Sequence, residues 1–295
     1  MTISDLEPAG WPALFAGCIA VFATRAIERW GSATGGVLAT LPTTIVPASL
    51  GIAAQTLPHE QFLLAMTAVP FGMALNAGFL GLWQWIPHRL PTNLAALRFP
   101  LTLALSLLAW ALGAAVLSVF LESLTDWTRT RFVLALVMVG GSGLGGLLLS
   151  RRHPAITTPG RPIAAGVLVA RGGLAALAVG TAVLLSRVAS PTVASMAAVF
   201  PAIFLTTMVS LWLSQGEAVP QRAAGPMMLG SASVGTYALL AGLLAPRVGL
   251  LLGTLGAWLG AVGLVTLPAL LLLRRWGAAG PPPPPGPGAG APSRP

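Results

Sequence analysis

The sequence predicts an all-α integral membrane protein with about nine transmembrane helices in a 4+1+4 arrangement. Hydrophobic residues make up 55% of the chain and charged residues only 8%, and the charges fall between long apolar runs. A soluble domain carries about a quarter charged residues, so this chain cannot cover itself with a polar surface in water. Because backbone groups inside lipid must be hydrogen-bonded within their own segment, the apolar runs are expected to be helices.

Nine runs have the roughly 20 mostly apolar residues that a helix needs to cross a bilayer. In chain order, spans 1 to 9 are residues 11–30, 34–56, 62–86, 99–121, 132–149, 163–186, 192–213, 223–245 and 248–273. Span 5 is the weakest because it is short and rich in glycine. Within it, Gly141 and Gly145 form a pair of small residues four apart, a spacing that allows a neighbouring helix to approach closely.

The arginines predict the orientation of the chain in the membrane. All 16 basic residues are arginine, and with nine spans 12 of them lie on one side of the membrane and 4 on the other. The positive-inside rule then places the N-terminus outside and the C-terminus in the cytoplasm. Arginines scattered over loops in this way indicate topology rather than a nucleic-acid partner. With Cys18 as its only cysteine, the chain has no internal disulfide and no cysteine-based metal site.

The chain divides around span 5 into two halves of four helices. The first half covers residues 1–130, a linker helix and cytoplasmic loop cover 131–162, and the second half covers 163–276. Residues 277–295 form a Pro- and Gly-rich tail that is expected to be disordered. Each half has a proline in its second helix, Pro42 or Pro201, and another early in its third, Pro70 or Pro226. Corresponding helices are five apart, so nine crossings predict inverted repeats, an architecture typical of secondary transporters.

The second half has basic residues at Arg171 and Arg187, followed by Phe200-Pro201 within the stretch 198–204. In these residues it resembles the GlpM family of small four-helix bacterial inner-membrane proteins, whose pattern has basic and Phe-Pro positions at the same spacing. The first half resembles a related family, so the chain looks like two divergent copies joined by a linker helix. The resemblance implies a location in the bacterial inner membrane. It implies no substrate, because the molecular activity of the family is poorly defined.

The prolines inside spans 2 and 7 are candidates for a solute pathway. A proline inside a helix removes one hydrogen bond and leaves a carbonyl free, which could coordinate an ion or a substrate group. Thr43 and Thr44 follow Pro42, and Pro201 interrupts span 7. The alternative is a structural kink whose free backbone groups bond to neighbouring Ser and Thr side chains.

Four further polar residues are candidates for the same pathway. Arg171 lies about eight residues inside its apolar run, where an ionisable group is costly and functional by default; alternatively, its guanidinium extends to the lipid headgroups. Glu28 shares a helix face with Arg25 near the end of span 1, as a proton-coupled carboxylate or as a local ion pair. Asn76, in the middle of span 3, either lines the pathway or joins helices.

The favoured function is a transporter or permease of unknown substrate that works by alternating access. The alternative is a non-transporting scaffold or assembly factor for envelope polysaccharide machinery. We expect no enzyme activity and no cofactor, because no metal-ligand, nucleophile or phosphate-loop motif stands out. The expected partners are the lipid bilayer and a small solute, and the oligomeric state stays open. Transport predicts a polar cavity between spans 2 and 7, whereas a scaffold predicts a dry, packed interior.

Overall fold

The protein is all-α in the computed structural model, which describes residues 3–30, 41–55, 59–124, 128–152 and 164–278. Within these residues the chain forms eleven α-helices, a 3₁₀ helix at Thr92–Leu97 and a π-helical turn at Val262–Thr266. The α-helices are α1 (Ile3–Trp30), α2 (Ile45–Gln55), α3 (His59–Arg89), α4 (Arg98–Ser123), α5 (Thr128–Arg152), α6 (Ala165–Val188), α7 (Pro191–Ala198), α8 (Ala202–Gln215), α9 (Ala218–Val248), α10 (Leu250–Ala261) and α11 (Leu267–Ala278). The predicted tail lies outside the described residues, apart from the two that end α11.

Seven helical stretches in the described part of the chain are long and apolar enough to cross a membrane, and they coincide with predicted spans 3 to 9. The stretch at span 5, Arg129–Arg152, is 24 residues long, so its length suffices for a crossing. Spans 1 and 2 coincide with shorter apolar stretches, Ala9–Phe22 and Ile45–Ala54; the first part of span 2 lies outside the described residues. The chain is a multi-pass membrane protein by helix length and hydropathy.

Span 7 is interrupted in the structure, because α7 ends at Ala198 and α8 begins at Ala202. Proline has no backbone N–H, and the Ala197 carbonyl, which a helical residue 201 would bond, accepts the Phe200 N–H at 3.2 Å instead. The predicted interruption at Pro201 is therefore confirmed. Pro42 lies in a non-helical turn directly before α2, and residues 31–40 ahead of it lie outside the described part.

Two long helices, α3 and α9, form the centre of the structure. In their apolar 18-residue stretches, 72% and 67% of the residues are buried, against 11% for α4 and its preceding turn. The two helices run antiparallel: Gly242 faces Leu63 and Met66 near the start of α3, whereas Gly235, earlier in α9, faces Pro70. The exposed leucines of α4 and α10, by contrast, form surfaces suited to lipid.

A second antiparallel pair, α1 and α6, crosses at two glycines. A Cβ on Gly17 would lie 3.0 Å from the Gly172 carbonyl oxygen, and a Cβ on Gly172 would lie 3.3 Å from the Gly17 carbonyl oxygen. Farther along, Gly180 of α6 faces Ala13 of α1. Small residues at such crossings let helix backbones approach closely in a membrane, where packing rather than the hydrophobic effect holds helices together.

The glycine-rich helix α5 packs along α9, but not through the pair predicted from the sequence. The close approach occurs at Gly146, where a Cβ would lie 2.5 Å from Leu229 N and 2.9 Å from the Gly225 carbonyl oxygen. Nothing lies within 4 Å of a Cβ on Gly141, and one on Gly145 would meet only the flexible end of Met228. The expectation for Gly141 and Gly145 is wrong because their spacing marks a helix face without fixing which face meets the neighbour.

We expect Gly146→Ala to destabilise the protein and Gly141→Ala to leave it as stable or slightly more so. The new methyl group at position 146 would overlap the α9 backbone, which typically costs about 1–3 kcal/mol. At exposed position 141 alanine is the better helix former, by about 1 kcal/mol. Thermal unfolding of the detergent-solubilised protein compares the two variants. Equal melting temperatures for the two variants would contradict the described α5–α9 contact.

Candidate functional site

The turn at residues 41–44 and the break in span 7 meet at one cavity. Leu41 and Thr44 line it from the turn before α2, and Val199 and Phe200 line it from the break between α7 and α8. Parts of α2, α3, α6, α7, α8 and α9 complete the described wall. The centres of water molecules can occupy about 60 Å³ of this cavity. The structure thus brings the turn that contains Pro42 next to the break that contains Pro201.

Asn76 of α3 is hydrogen-bonded to the break in span 7 at the cavity wall. Its Nδ2 donates a hydrogen bond of 2.9 Å to the Val199 carbonyl oxygen. Its Oδ1 accepts a hydrogen bond of 2.7 Å from Trp110 Nε1 of α4. The Trp110 ring in turn stacks edge-on against Phe200, with 5.3 Å between centroids. Asn76 therefore joins helices, as one of its two predicted roles requires, and it also lines the cavity.

The threonines near the interruptions have different surroundings. The hydroxyl of Thr43 donates to the Leu41 carbonyl at 3.3 Å, within the turn itself. Thr206 and Thr207 donate to the carbonyls of Ala202 and Ile203, four residues earlier in α8. These three hydroxyls donate to nearby backbone carbonyls, and none of them binds the Ala197 carbonyl that Pro201 leaves without its helical partner. Thr44 lines the cavity wall, whereas Thr43 and the buried prolines Pro42 and Pro201 lie behind it.

The central helix α9 carries two polar contacts of its own. The hydroxyl groups of Tyr237 and Ser49 of α2 lie 2.7 Å apart in a hydrogen bond. The hydroxyl of Ser233 bonds to Thr266 Oγ1 at 2.8 Å, in the π-helical turn between α10 and α11. These bonds tie α9 to the helix that follows the turn at 41–44 and to the last span. Tyr237 and Ser233 are recognisable in the sequence as polar residues of span 8, but their partners Ser49 and Thr266 are not, since serine and threonine are frequent in membrane helices.

Arg171 is buried, but it does not line the cavity. It is the seventh residue of α6, and 4% of its surface is exposed. Ala175, one helical turn farther along, lines the cavity from the same face of α6. The alternative in which Arg171 extends to the lipid headgroups does not fit this burial. Arg25 and Glu28 lie in the last turns of α1, and their side chains are outside the described residues.

Arg131 is buried, although its place between spans 4 and 5 in the sequence predicts only a charged loop residue. Its Nη1 donates to the Leu121 carbonyl at 3.1 Å, and its Nη2 donates to the Leu64 carbonyl at 3.1 Å and to Thr192 Oγ1 at 2.7 Å. Beside it, the Ser190 hydroxyl bonds to Glu122 and caps α7 by accepting the Val193 N–H. This cluster ties α3, α4, α5 and α7 together at one end of the bundle.

A second polar cluster lies at another set of helix ends. Arg98, at the start of α4, forms an ion pair of 3.4 Å with Glu217, which directly precedes α9. Glu217 also accepts a hydrogen bond from Gln221, and Arg98 Nη2 donates to the Leu90 carbonyl at 3.3 Å. In each of the two clusters, the residues that are joined are separated by an even number of predicted spans. Residues separated in this way lie on the same side of the membrane when every span crosses. The contacts are therefore compatible with nine crossings.

Comparison with known proteins gives no further information on the site. No family model, no curated protein and no solved structure matches this chain. The similarity to the GlpM family therefore stays a prediction. Within the described ranges, no group of three or more His, Cys, Asp and Glu residues could hold a metal ion.

We expect Arg131→Met to destabilise the protein strongly and Arg129→Met to have little effect. Both changes remove one arginine from the same end of α5, but Arg129 is exposed, whereas Arg131 donates three hydrogen bonds. A hydrogen bond to a charged group is worth about 1.5–3 kcal/mol, so a net loss of about 3 kcal/mol is expected after some gain from the apolar side chain. Thermal unfolding in detergent measures the difference, and equal effects would contradict the described cluster.

Proposed function

We propose that the protein is a secondary transporter built from two inverted four-helix units, with its solute site at the cavity between the interrupted helices. The observation that carries the proposal is that one cavity is lined by both the turn at residues 41–44 and the break in span 7. In secondary transporters, substrate sites lie near the bilayer midplane, at the interface of the repeats, on broken helices. The alternative, a scaffold for polysaccharide machinery, predicts a dry and packed interior and gives no reason for such a cavity.

The directions of the paired helices support an inverted relation between the halves. The third helix of each half, α3 and α9, pack antiparallel, as do the first helices, α1 and α6. Two features also recur at a nearly constant offset along the sequence: Pro226 follows Pro70 by 156 positions, and Gly172 follows Gly17 by 155. Of these residues, Gly17 and Gly172 meet at the α1–α6 crossing, so one pair at equivalent places in the two halves is in contact.

The central polar pairs follow the same offset. Asn76 bonds to Trp110 of the next helix, and Ser233 bonds to Thr266 in the next span. Ser233 follows Asn76 by 157 positions and Thr266 follows Trp110 by 156. The two pairs consist of different residue types, so a comparison of the sequences of the two halves does not detect them. Their hydrogen bonds nevertheless lie at equivalent positions along the two halves. This agreement supports two copies of one helical unit.

The cavity lies near the middle of the proposed membrane layer. Both central helices are 31 residues long. Asn76 is 17 residues from the first residue of α3 and 13 from the last, and Ser233 is 15 from either end of α9. At 1.5 Å per residue, each polar pair is about 20 Å from the helix ends. A solute at this depth would be separated from both aqueous sides.

We propose that the chain lies in the bacterial inner membrane with its C-terminus in the cytoplasm. The distribution of 12 and 4 arginines supports this orientation. The contact between Arg151 and Trp276 supports nine crossings, because it joins the end of α5 to the end of span 9. With spans 6 to 9 all crossing, these two residues fall on the same side.

Alternating access predicts that one cysteine in the cavity wall can be reached from both sides of the membrane. We expect Ala178→Cys, in a Cys18→Ala background, to react with a small hydrophilic thiol reagent applied to either face of oriented vesicles. An impermeant thiol on the far side destroys any reagent that crosses the lipid. Ala178 lines the cavity, whereas the fully buried Ala238 of α9 does not, so Ala238→Cys is the control and should not react from either face.

A cysteine at position 178 that no reagent reaches from either side would refute the proposed transporter and favour the scaffold. Reaction from one side only would indicate a fixed opening and would also count against alternating access. The test requires no knowledge of the substrate.

A further inference from the structure

We infer that the cavity takes a compact, uncharged polar solute of about four to six non-hydrogen atoms. This inference rests on the proposed transporter and deepens it by naming the class of solute that the same site would bind. It is carried by the chemistry of the described wall, by the position of charges along the surrounding helices and by the volume of the cavity.

The described wall of the cavity is apolar apart from two side chains. Asn76 contributes its amide and Thr44 its hydroxyl, and the other lining residues are Ala, Val, Leu, Ile, Met and Phe. Residues 31–40, which precede the lining turn and lie outside the described part, contain no charged residue in the sequence. A polar group without a partner is costly in such surroundings, and an unpaired charge costs far more. The wall therefore suits a solute that needs few hydrogen bonds and no counter-ion.

The charges of the sequence are absent from most of the helix lengths around the cavity. No Asp, Glu, Lys, Arg or His occurs in the ranges 30–58, 61–87, 188–216 or 223–246. These ranges contain the parts of α2, α3, α7, α8 and α9 that line the cavity. A bound ion would thus find no opposite charge on these helices within about two to three turns of the wall.

Arg171 of α6 is the nearest arginine on the remaining helix, and it does not alter this conclusion. It precedes the lining residue Ala175 by one turn. Long helical side chains extend toward the helix N-terminus, which at this position leads away from Ala175. The packing of α6 against α1 at Gly17 and Gly172 lies beside it. Arg171 is not among the residues that line the cavity, so its charge is not part of the described wall.

The volume limits the size of the solute. A single water needs about 10–15 Å³ when volume is measured at the water centre. The 60 Å³ of the cavity therefore hold about four to six waters, which suits a solute with about that number of non-hydrogen atoms. The hydroxyl of Thr44 can both donate and accept, and the Asn76 Oδ1, which accepts one hydrogen bond from Trp110, has a second lone pair. These groups suit a solute that has both a donor and an acceptor.

Three planar solutes of the same size test the effect of charge on transport independently of shape. Urea, guanidinium and nitrate each have four non-hydrogen atoms, and they are neutral, positive and negative. We expect the full-length protein in liposomes to admit urea at least about tenfold faster than either ion, after subtraction of protein-free vesicles, because an unpaired charge costs more than the 1.4 kcal/mol that a tenfold rate difference represents. Tracer uptake measures all three rates.

A matched pair of variants assigns the urea flux to the cavity. Thr44→Val removes the lining hydroxyl with little change of shape, and we expect it to slow urea about fivefold, as the loss of one hydrogen bond does. Ser106→Ala is the control, because the buried Ser106 hydroxyl of α4 bonds only to the Leu103 carbonyl of its own helix and does not line the cavity. Equal rates in the two variants would place the flux elsewhere and overturn the inference.

The failure of this inference is distinguishable from the failure of the transporter proposal. Passage of guanidinium or nitrate at a rate equal to or above that of urea would overturn the uncharged class while transport stands. If no solute passes while the cysteine at 178 reacts from both faces, the solute class is wrong and alternating access stands. If that cysteine also fails to react, both proposals fall.

Discussion

The hydrogen bond from Asn76 to the Val199 carbonyl allows a helix to be interrupted inside the membrane. Lipid offers no partner to a backbone group, so each one that a break releases must find a partner in the protein. Pro201 prevents the helical bonding pattern at this point. Asn76 then binds a carbonyl of the break and is itself held by Trp110. Without this amide, the interruption that forms the cavity would expose an unsatisfied carbonyl in an apolar interior.

Glycines and polar side chains hold the helices together at different places in the protein. Backbones approach closely where Gly17 meets Gly172 and where Gly146 meets Gly225. Two arginines join helices at their ends. Arg131 donates to two carbonyls and a hydroxyl from other helices, and Arg98 forms an ion pair with Glu217. Of the polar side chains in the middle of the protein, Asn76 and Thr44 line the cavity.

Much of the fold is predictable from the sequence, because a helix needs a fixed length to cross the bilayer and lipid enforces helical backbone. Spans 3 to 9 and the interruption at Pro201 are properties of single segments, so they can be inferred one segment at a time. The helix faces that contact one another cannot be inferred from single segments in this way. Gly141 and Gly146 lie on the same glycine-rich helix, and only packing reveals that the latter meets α9. Arg131 likewise resembles other loop arginines in the sequence, since its burial depends on two carbonyls and a hydroxyl from three other parts of the chain. Asn76 could be nominated because an amide in an apolar run is rare, whereas its two partners are 34 and 123 positions away.

The relation between the two halves is the central claim, since the antiparallel helix pairs and the shared cavity follow from it. The most direct measurement is the accessibility of single cysteines at the two chain ends, in a background without Cys18, to an impermeant thiol reagent in intact and permeabilised cells. The account predicts that the N-terminal cysteine is labelled in intact cells and that the C-terminal one is labelled only after permeabilisation. Labelling of both ends from the same side would require an even number of crossings and would contradict the inverted arrangement.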